Sequence, residues 1–229
     1  MSSRYELGDT ILDKLSRTFQ ISPDDFAALK AALGRDYFKV LVATILSQNT
    51  NEKNTFKAIK KLEESIGIKP HLLASVDENY LEEAISPAGL QSTKSKAIKE
   101  AAKLIVERYD GDITNLLKKG EKRVREELGK IRGIGDKTID VLLANYGYPI
   151  VAIDTHVRRV ARRLGLTHAK TYMAIREDLE KVFRPEKRLT AHLLLILLGR
   201  NICKAKRPAC LECPLKDICE YYNSLKAKH

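Results

Sequence analysis

Apolar residues recur at helical spacing along almost the whole chain, and no stretch of useful length alternates polar with apolar. That period restricts the chain to helices packed on helices. "ILDKLSRTF", "EKNTFKAIKKLEESI", "SVDENYLEEAI", "STKSKAIKEAAKLIVERY" and "EKRVREELGKI" each carry one apolar stripe. So do "THVRRVARRLGL" and "TYMAIREDLEKVF", and "RLTAHLLLILLGRNIC" is the last helix. "FKVLVATILSQ" is apolar nearly all round and reads as a central core helix. Gly67 and Pro70 close one helix, and Ser75 or Asp77 caps the next. The expected fold class is all-α.

The formal net charge is +11, and that excess on a surface attracts polyanions. Nucleic acid is the first candidate partner; an anionic membrane is the second, but no basic amphipathic stretch stands apart. A basic surface with no partner is the plain alternative. The opening "MSSRYELGDT" is polar, and the apolar run Leu193–Leu198 is far too short to span a bilayer. The expectation is a soluble, intracellular protein in a compartment that keeps thiols reduced.

Four places break the helical pattern: "LSQNT", "SPAGLQSTK", "IRGIGDKT" with the later "AIDTH", and the cysteine segment. In "GKIRGIGDKTIDVLLANYG", two helices are joined through Gly133, Ile134 and Gly135. The glycines allow φ > 0 and close approach of a ligand. The second helix is expected to start near Asp136 as N-cap, with outward N–H groups that suit a phosphate. Lys137 lies in that first turn. It is either a phosphate contact or, if the helix end favours its neutral amine, a nucleophile toward a sugar C1′. Asp154 precedes an arginine-rich helix. It reads as an N-cap, or as a carboxylate that steadies positive charge at C1′ beside a positive face of Arg158, Arg159, Arg162 and Arg163. His156 and His192 read as packed or hydrogen-bonded residues.

All four cysteines, Cys203, Cys210, Cys213 and Cys219, fall in one C-x6-C-x2-C-x5-C segment. A disulfide framework does not suit an intracellular helical chain. Zinc and an iron–sulfur cluster both fit the spacing. Lys204, Lys206 and Arg207 fill the first gap. They read as a phosphate clamp on a metal-pinned loop, or as counter-charge to the thiolates.

From "YFKVLVATILSQNT" to "CEYY" the chain resembles endonuclease III, within the helix-hairpin-helix DNA glycosylase superfamily. The resemblance rests on "IRGIGDKT…VAIDTH" and on the cysteine segment preceded by "LLGRNIC". It implies two helical lobes with a DNA-binding cleft, a helix-hairpin-helix motif and a C-terminal iron–sulfur cluster loop. The implied domains are residues 30–148, and residues 1–29 with 149–229. It implies a [4Fe-4S] cluster on the four cysteines, Lys137 as Schiff-base lysine and Asp154 as catalytic aspartate. Leu90 matches a residue that wedges into the duplex. Gly133 and Gly135 belong to the DNA-gripping hairpin. The family's gap-filling glutamine aligns with Asn49, with Gln48 one residue earlier, so either amide is a candidate.

The implied partner is double-stranded DNA with damaged bases or abasic sites, met by a monomer in the cytoplasm, nucleoid-associated in a prokaryote. The implied activity is a bifunctional glycosylase/AP lyase for oxidised pyrimidines in base excision repair. A mismatch or oxidised-purine glycosylase, a non-catalytic iron–sulfur DNA-binding protein and a small electron carrier are the alternatives.

Overall fold

The computed structural model describes residues 2–227, and every regular element among them is helical. The first helix, α1, spans Ser2–Thr18. The chain then builds α2 (Ala27–Leu33), α3 (Tyr37–Leu46), α4 (Glu52–Ser65), α5 (Pro70–Ser75), α6 (Glu78–Ile85) and α7 (Gln91–Arg108). It continues with α8 (Ile113–Leu117), α9 (Glu121–Leu128), α10 (Asp136–Tyr146), α11 (Thr155–Leu164), α12 (Tyr172–Val182), α13 (Arg188–Asn201) and α14 (Glu220–Lys226). Two compact units divide it: Ser22–Tyr148, and Met1–Ile21 with Pro149–His229. No helix among the described residues is long and apolar enough to cross a membrane.

The central unit is built around α3. Its N-cap Asp36 accepts the Lys39 N–H at 2.9 Å, and Phe38 and Val40–Leu46 are all buried. Around it pack α2, α4, α7 and α10. A helix surrounded by helices needs apolar residues on every side, which is what "FKVLVATIL" supplies. Asn51, Asp77 and Asp112 cap α4, α6 and α8 through side-chain oxygens. Ser75 instead lies at the end of α5. The short helices α2, α5, α8 and α14 were not legible as separate periods, because each spans about two turns or fewer, and α14 makes "RLTAHLLLILLGRNIC" the last helix but one.

Arg125 braces α9 against α10. It bonds Asp140, which is fully buried, and also reaches Glu121 at 2.9 Å and Asp136 at 3.3 Å. The Glu127 carboxylate of α9 is buried too, and is held by Arg108 at 2.5 Å and Arg123 at 2.6 Å.

The other unit joins both ends of the chain. Its apolar α13 packs against α11, and α1 lies on α12 and α13. Gly8 touches the carbonyl of Val182 so closely that a Cβ would stand 2.1 Å from its oxygen. Arg184 and Lys187 add ion pairs to Asp9 at 3.0 and 2.9 Å.

Candidate functional site

The turn between α9 and α10 uses its two glycines differently. Gly133 has φ +98°, and a Cβ there would meet the Ala97 methyl at 3.3 Å. Gly135 has an ordinary extended φ of −102°, and a Cβ would meet nothing within 4 Å. Its bareness keeps space clear in front of α10. Gly135 itself, not Asp136, is the N-cap, and no side chain caps the helix. Asp136 sits one residue inside and pairs with Arg125. The N–H groups and the positive end of the dipole therefore face forward beside exposed Gly133 and Gly135. Lys137 is in this turn and half-buried.

Gln48 supports that turn. Its Nε2 donates to the Gly133 carbonyl at 2.9 Å and to the Thr138 hydroxyl at 3.1 Å. Its neighbour Asn49 is exposed, at φ 53°. The two amides that sequence alignment left equivalent thus have different surroundings. Leu90 stands at the start of α7, 56% exposed and left-handed at φ 51°, ψ 36°. A non-glycine residue there costs about 1–2 kcal/mol. Nearby, the Lys94 amine is buried and donates to the carbonyls of Leu46 and Ala88.

Asp154 belongs to the other unit. It is half-buried and caps α11, its Oδ1 accepting the Val157 N–H at 2.7 Å. The buried residues 150–153, outside any helix or strand, lead to it. Side chains hold their backbone instead. Tyr172 accepts the Ile153 N–H at 3.1 Å, Glu180 accepts from Val151 at 3.5 Å, and His192 Nδ1 meets the Ala152 carbonyl at 2.8 Å. His156, in the first turn of α11, is half-buried, and burial pushes its pKa down.

The four cysteines line one cavity, walled also by Val160, Arg163 and Leu164. Among the described residues no three His, Cys, Asp or Glu side chains converge on a single-ion site. The thiols instead surround a space, which suits a guest of several atoms. Burial pushes the Cys210 and Cys213 thiols up, and the neighbouring thiolates add to it. Four such donors fit a cationic iron–sulfur guest, which binds thiolates and relieves their repulsion.

Arg159 and Arg163 hold this loop. Arg159 donates to the carbonyls of Cys203 at 2.9 Å and Gly199 at 2.8 Å. Arg163 donates to Lys204 O at 2.7 Å and Ala205 O at 3.0 Å, lies 3.4 Å from Cys203 Sγ, and stacks over the Tyr221 ring. The expected four-arginine face of α11 is therefore half that size: only Arg158 and Arg162 are exposed. The reason is helical spacing, since residues 159 and 163 point one way and 158 and 162 another. Lys204, Lys206 and Arg207 are all exposed on the loop.

Lys94, Arg125, Arg159 and Arg163 escaped the sequence reading as positioning groups. Lys94 did leave a signal. It shares the stripe of Ala97, Ile98, Ala101 and Ile105, where a charged residue is out of place.

Residues 42–185 match the HhH-GPD superfamily base excision DNA repair protein family, and residues 203–219 match the iron–sulfur binding domain of endonuclease III. Endonuclease III of Sulfolobus acidocaldarius is 36% identical over 95% of this chain and 97% of its own. That of Thermotoga maritima is 36% identical over 82% of this chain and 84% of its own. A solved trapped endonuclease III–DNA covalent intermediate superposes with a TM-score of 0.78 at 30% identity, covering 94% of this chain and 95% of that one. A hairpin braced by Gln48 and Arg125, and four thiols around one cavity, accompany 36% identity over nearly the full length, and the chain belongs to the endonuclease III family of base excision DNA repair proteins.

Proposed function

We propose that the protein is a bifunctional DNA glycosylase and AP lyase that removes damaged bases, oxidised pyrimidines foremost, from duplex DNA. A base inside the stack is beyond a catalytic group's reach, so the nucleotide must leave the helix. The exposed Leu90 is the wedge that takes its place in the stack. Asn49 fills the gap opposite the orphaned base, while Gln48, whose amide nitrogen serves the hairpin, positions that hairpin. Gly133, Gly135 and the uncapped first turn of α10 take a phosphate of the damaged strand.

Lys137 is the nucleophile. Its unprotonated Nζ bonds to C1′ as the C1′–N bond to the base breaks and the base leaves with the electron pair. The sugar ring then opens to a protonated Schiff base, which acidifies C2′–H. Loss of that proton expels the 3′ phosphate by β-elimination, and water later frees the lysine. Asp154 steadies the positive charge that develops at C1′ as the base departs.

Cys203, Cys210, Cys213 and Cys219 would hold the cluster, of [4Fe-4S] type. When bound, the cluster supplies rigid cross-links to the loop. Lys204, Lys206 and Arg207 on that loop add sequence-independent phosphate contacts. The protein acts as a monomer, in a cytoplasmic compartment that holds DNA and reduced thiols.

The observation that carries the reading is a half-buried lysine in the first turn of an uncapped helix, in a chain of this family. Borohydride reduction with an abasic duplex tests it. The wild-type protein is expected to give a covalent adduct and Lys137→Ala none, and on a duplex with an oxidised pyrimidine Asp154→Asn is expected to release the base roughly 10²-fold more slowly. An undiminished adduct from Lys137→Ala overturns it. Strand nicking on duplexes with one lesion each separates oxidised pyrimidines from oxidised purines and mismatches. Iron and sulfide counts of four each per chain check the cluster type.

A further inference from the structure

Lys94 is 1% exposed, among the most buried large side chains of the molecule. Burial lowers its pKa, and no carboxylate among the described residues pairs with it. A lone buried lysine is uncommon unless its N–H groups have fixed work to do. Its Nζ donates to Leu46 O at 2.8 Å and to Ala88 O at 2.9 Å. Leu46 ends α3, so its carbonyl is one of those a helix leaves without an intrahelical partner. Ala88 closes a single 3-10 turn.

Each of these carbonyls lies just ahead of a strained residue. Three positions beyond Leu46 is Asn49, at φ 53°; two beyond Ala88 is Leu90, at φ 51°. Both are exposed non-glycine residues in the left-handed region. Such strain persists only where the surroundings over-determine the backbone. One buried amine ties together the roots of both strained tips.

We infer that Lys94 is a positioning residue that fixes the wedge tip at Leu90 and the plug tip at Asn49 relative to each other, so that both enter the duplex as one rigid probe. This rests on the proposed roles of Leu90 and Asn49 in base extrusion.

The test compares borohydride trapping on a duplex abasic site, where the stack must be opened, with trapping on a single-stranded abasic oligonucleotide, where it need not be. For Lys94→Met the rate on duplex is expected to fall at least about tenfold more than the rate on single strand, as a misplaced positioning group does. In a Leu90→Ala, Asn49→Ala background, adding Lys94→Met should cost less than about twofold further, because coupled residues are not additive. Equal losses on both substrates, or a full additive loss in that background, overturn the inference. Should Lys94→Met yield no folded protein, Lys94→Gln keeps a donor one atom short, and the same duplex-selective loss is expected. A wild-type protein that traps neither substrate refutes the lyase reading instead.

Discussion

Leu90 shows most clearly how a single residue carries backbone strain. Its left-handed backbone costs about 1–2 kcal/mol, and its side chain, 56% exposed, recovers only part of that by burial. Leu90→Gly is therefore expected to leave the protein as stable or up to about 1 kcal/mol more stable in a urea melt, while activity on duplex damage falls. Lys94 gives a second prediction at this scale. Its pKa is depressed in the folded chain, so between that value and its ordinary value the unfolded chain binds more protons. Its contribution to stability thus rises with pH in that alkaline window. The melting-temperature gap between wild type and Lys94→Met should widen as pH is raised through it. A constant gap would count against a desolvated amine. From sequence, Lys137, Asp154 and the cysteines stood out as candidates because they lie at or beside breaks in the helical period, while their assigned roles came only from the family resemblance. The split between Gln48 and Asn49 was not legible, because adjacent amides differ only in where the chain turns at φ 53°.

At the level of elements, α10 depends on α9. Asp140 is fully buried, and Arg125 answers its charge. Removing Arg125 takes one strong charged partner from buried Asp140, so Arg125→Met is expected to cost about 1–3 kcal/mol. The hairpin should lose its geometry with it, and non-specific DNA affinity should drop along with the melting temperature. On α11, Arg163 bonds two loop carbonyls and stacks on Tyr221. Arg163→Ala should bleach the iron–sulfur absorbance faster under a chelator, by roughly tenfold for loss of two such bonds. The long helices were legible through their stripes, and α3 through its lack of one. The paired faces of α11 were not, since its arginines read as one basic helix until Arg159 and Arg163 were seen to face the cysteine loop.

For the molecule as a whole, the +11 charge predicts a steep dependence of DNA binding on salt. Replacing Lys204, Lys206 and Arg207 together by Ala should reduce the slope of log affinity against log salt by about 2–3, one for each phosphate no longer neutralised, without changing lesion preference. An unchanged slope would remove the loop from the interface. The interleaving of the two units, Ser22–Tyr148 between Met1–Ile21 and Pro149–His229, does not follow from helical periods, which do not say which distant helices meet. That interleaving governs how the chain is born. The middle unit, Ser22–Tyr148, is continuous and can fold as it leaves the ribosome. Helix α1 emerges before this unit, yet its partners α12 and α13 lie about 150 residues after α1. At about 5–20 residues per second it waits on the order of ten seconds or more with its apolar side uncovered. A nascent chain therefore holds its α9–α10 turn before it holds a seated Asp154, and if both act as proposed, premature termination would release a protein that clings to DNA without completing the reaction.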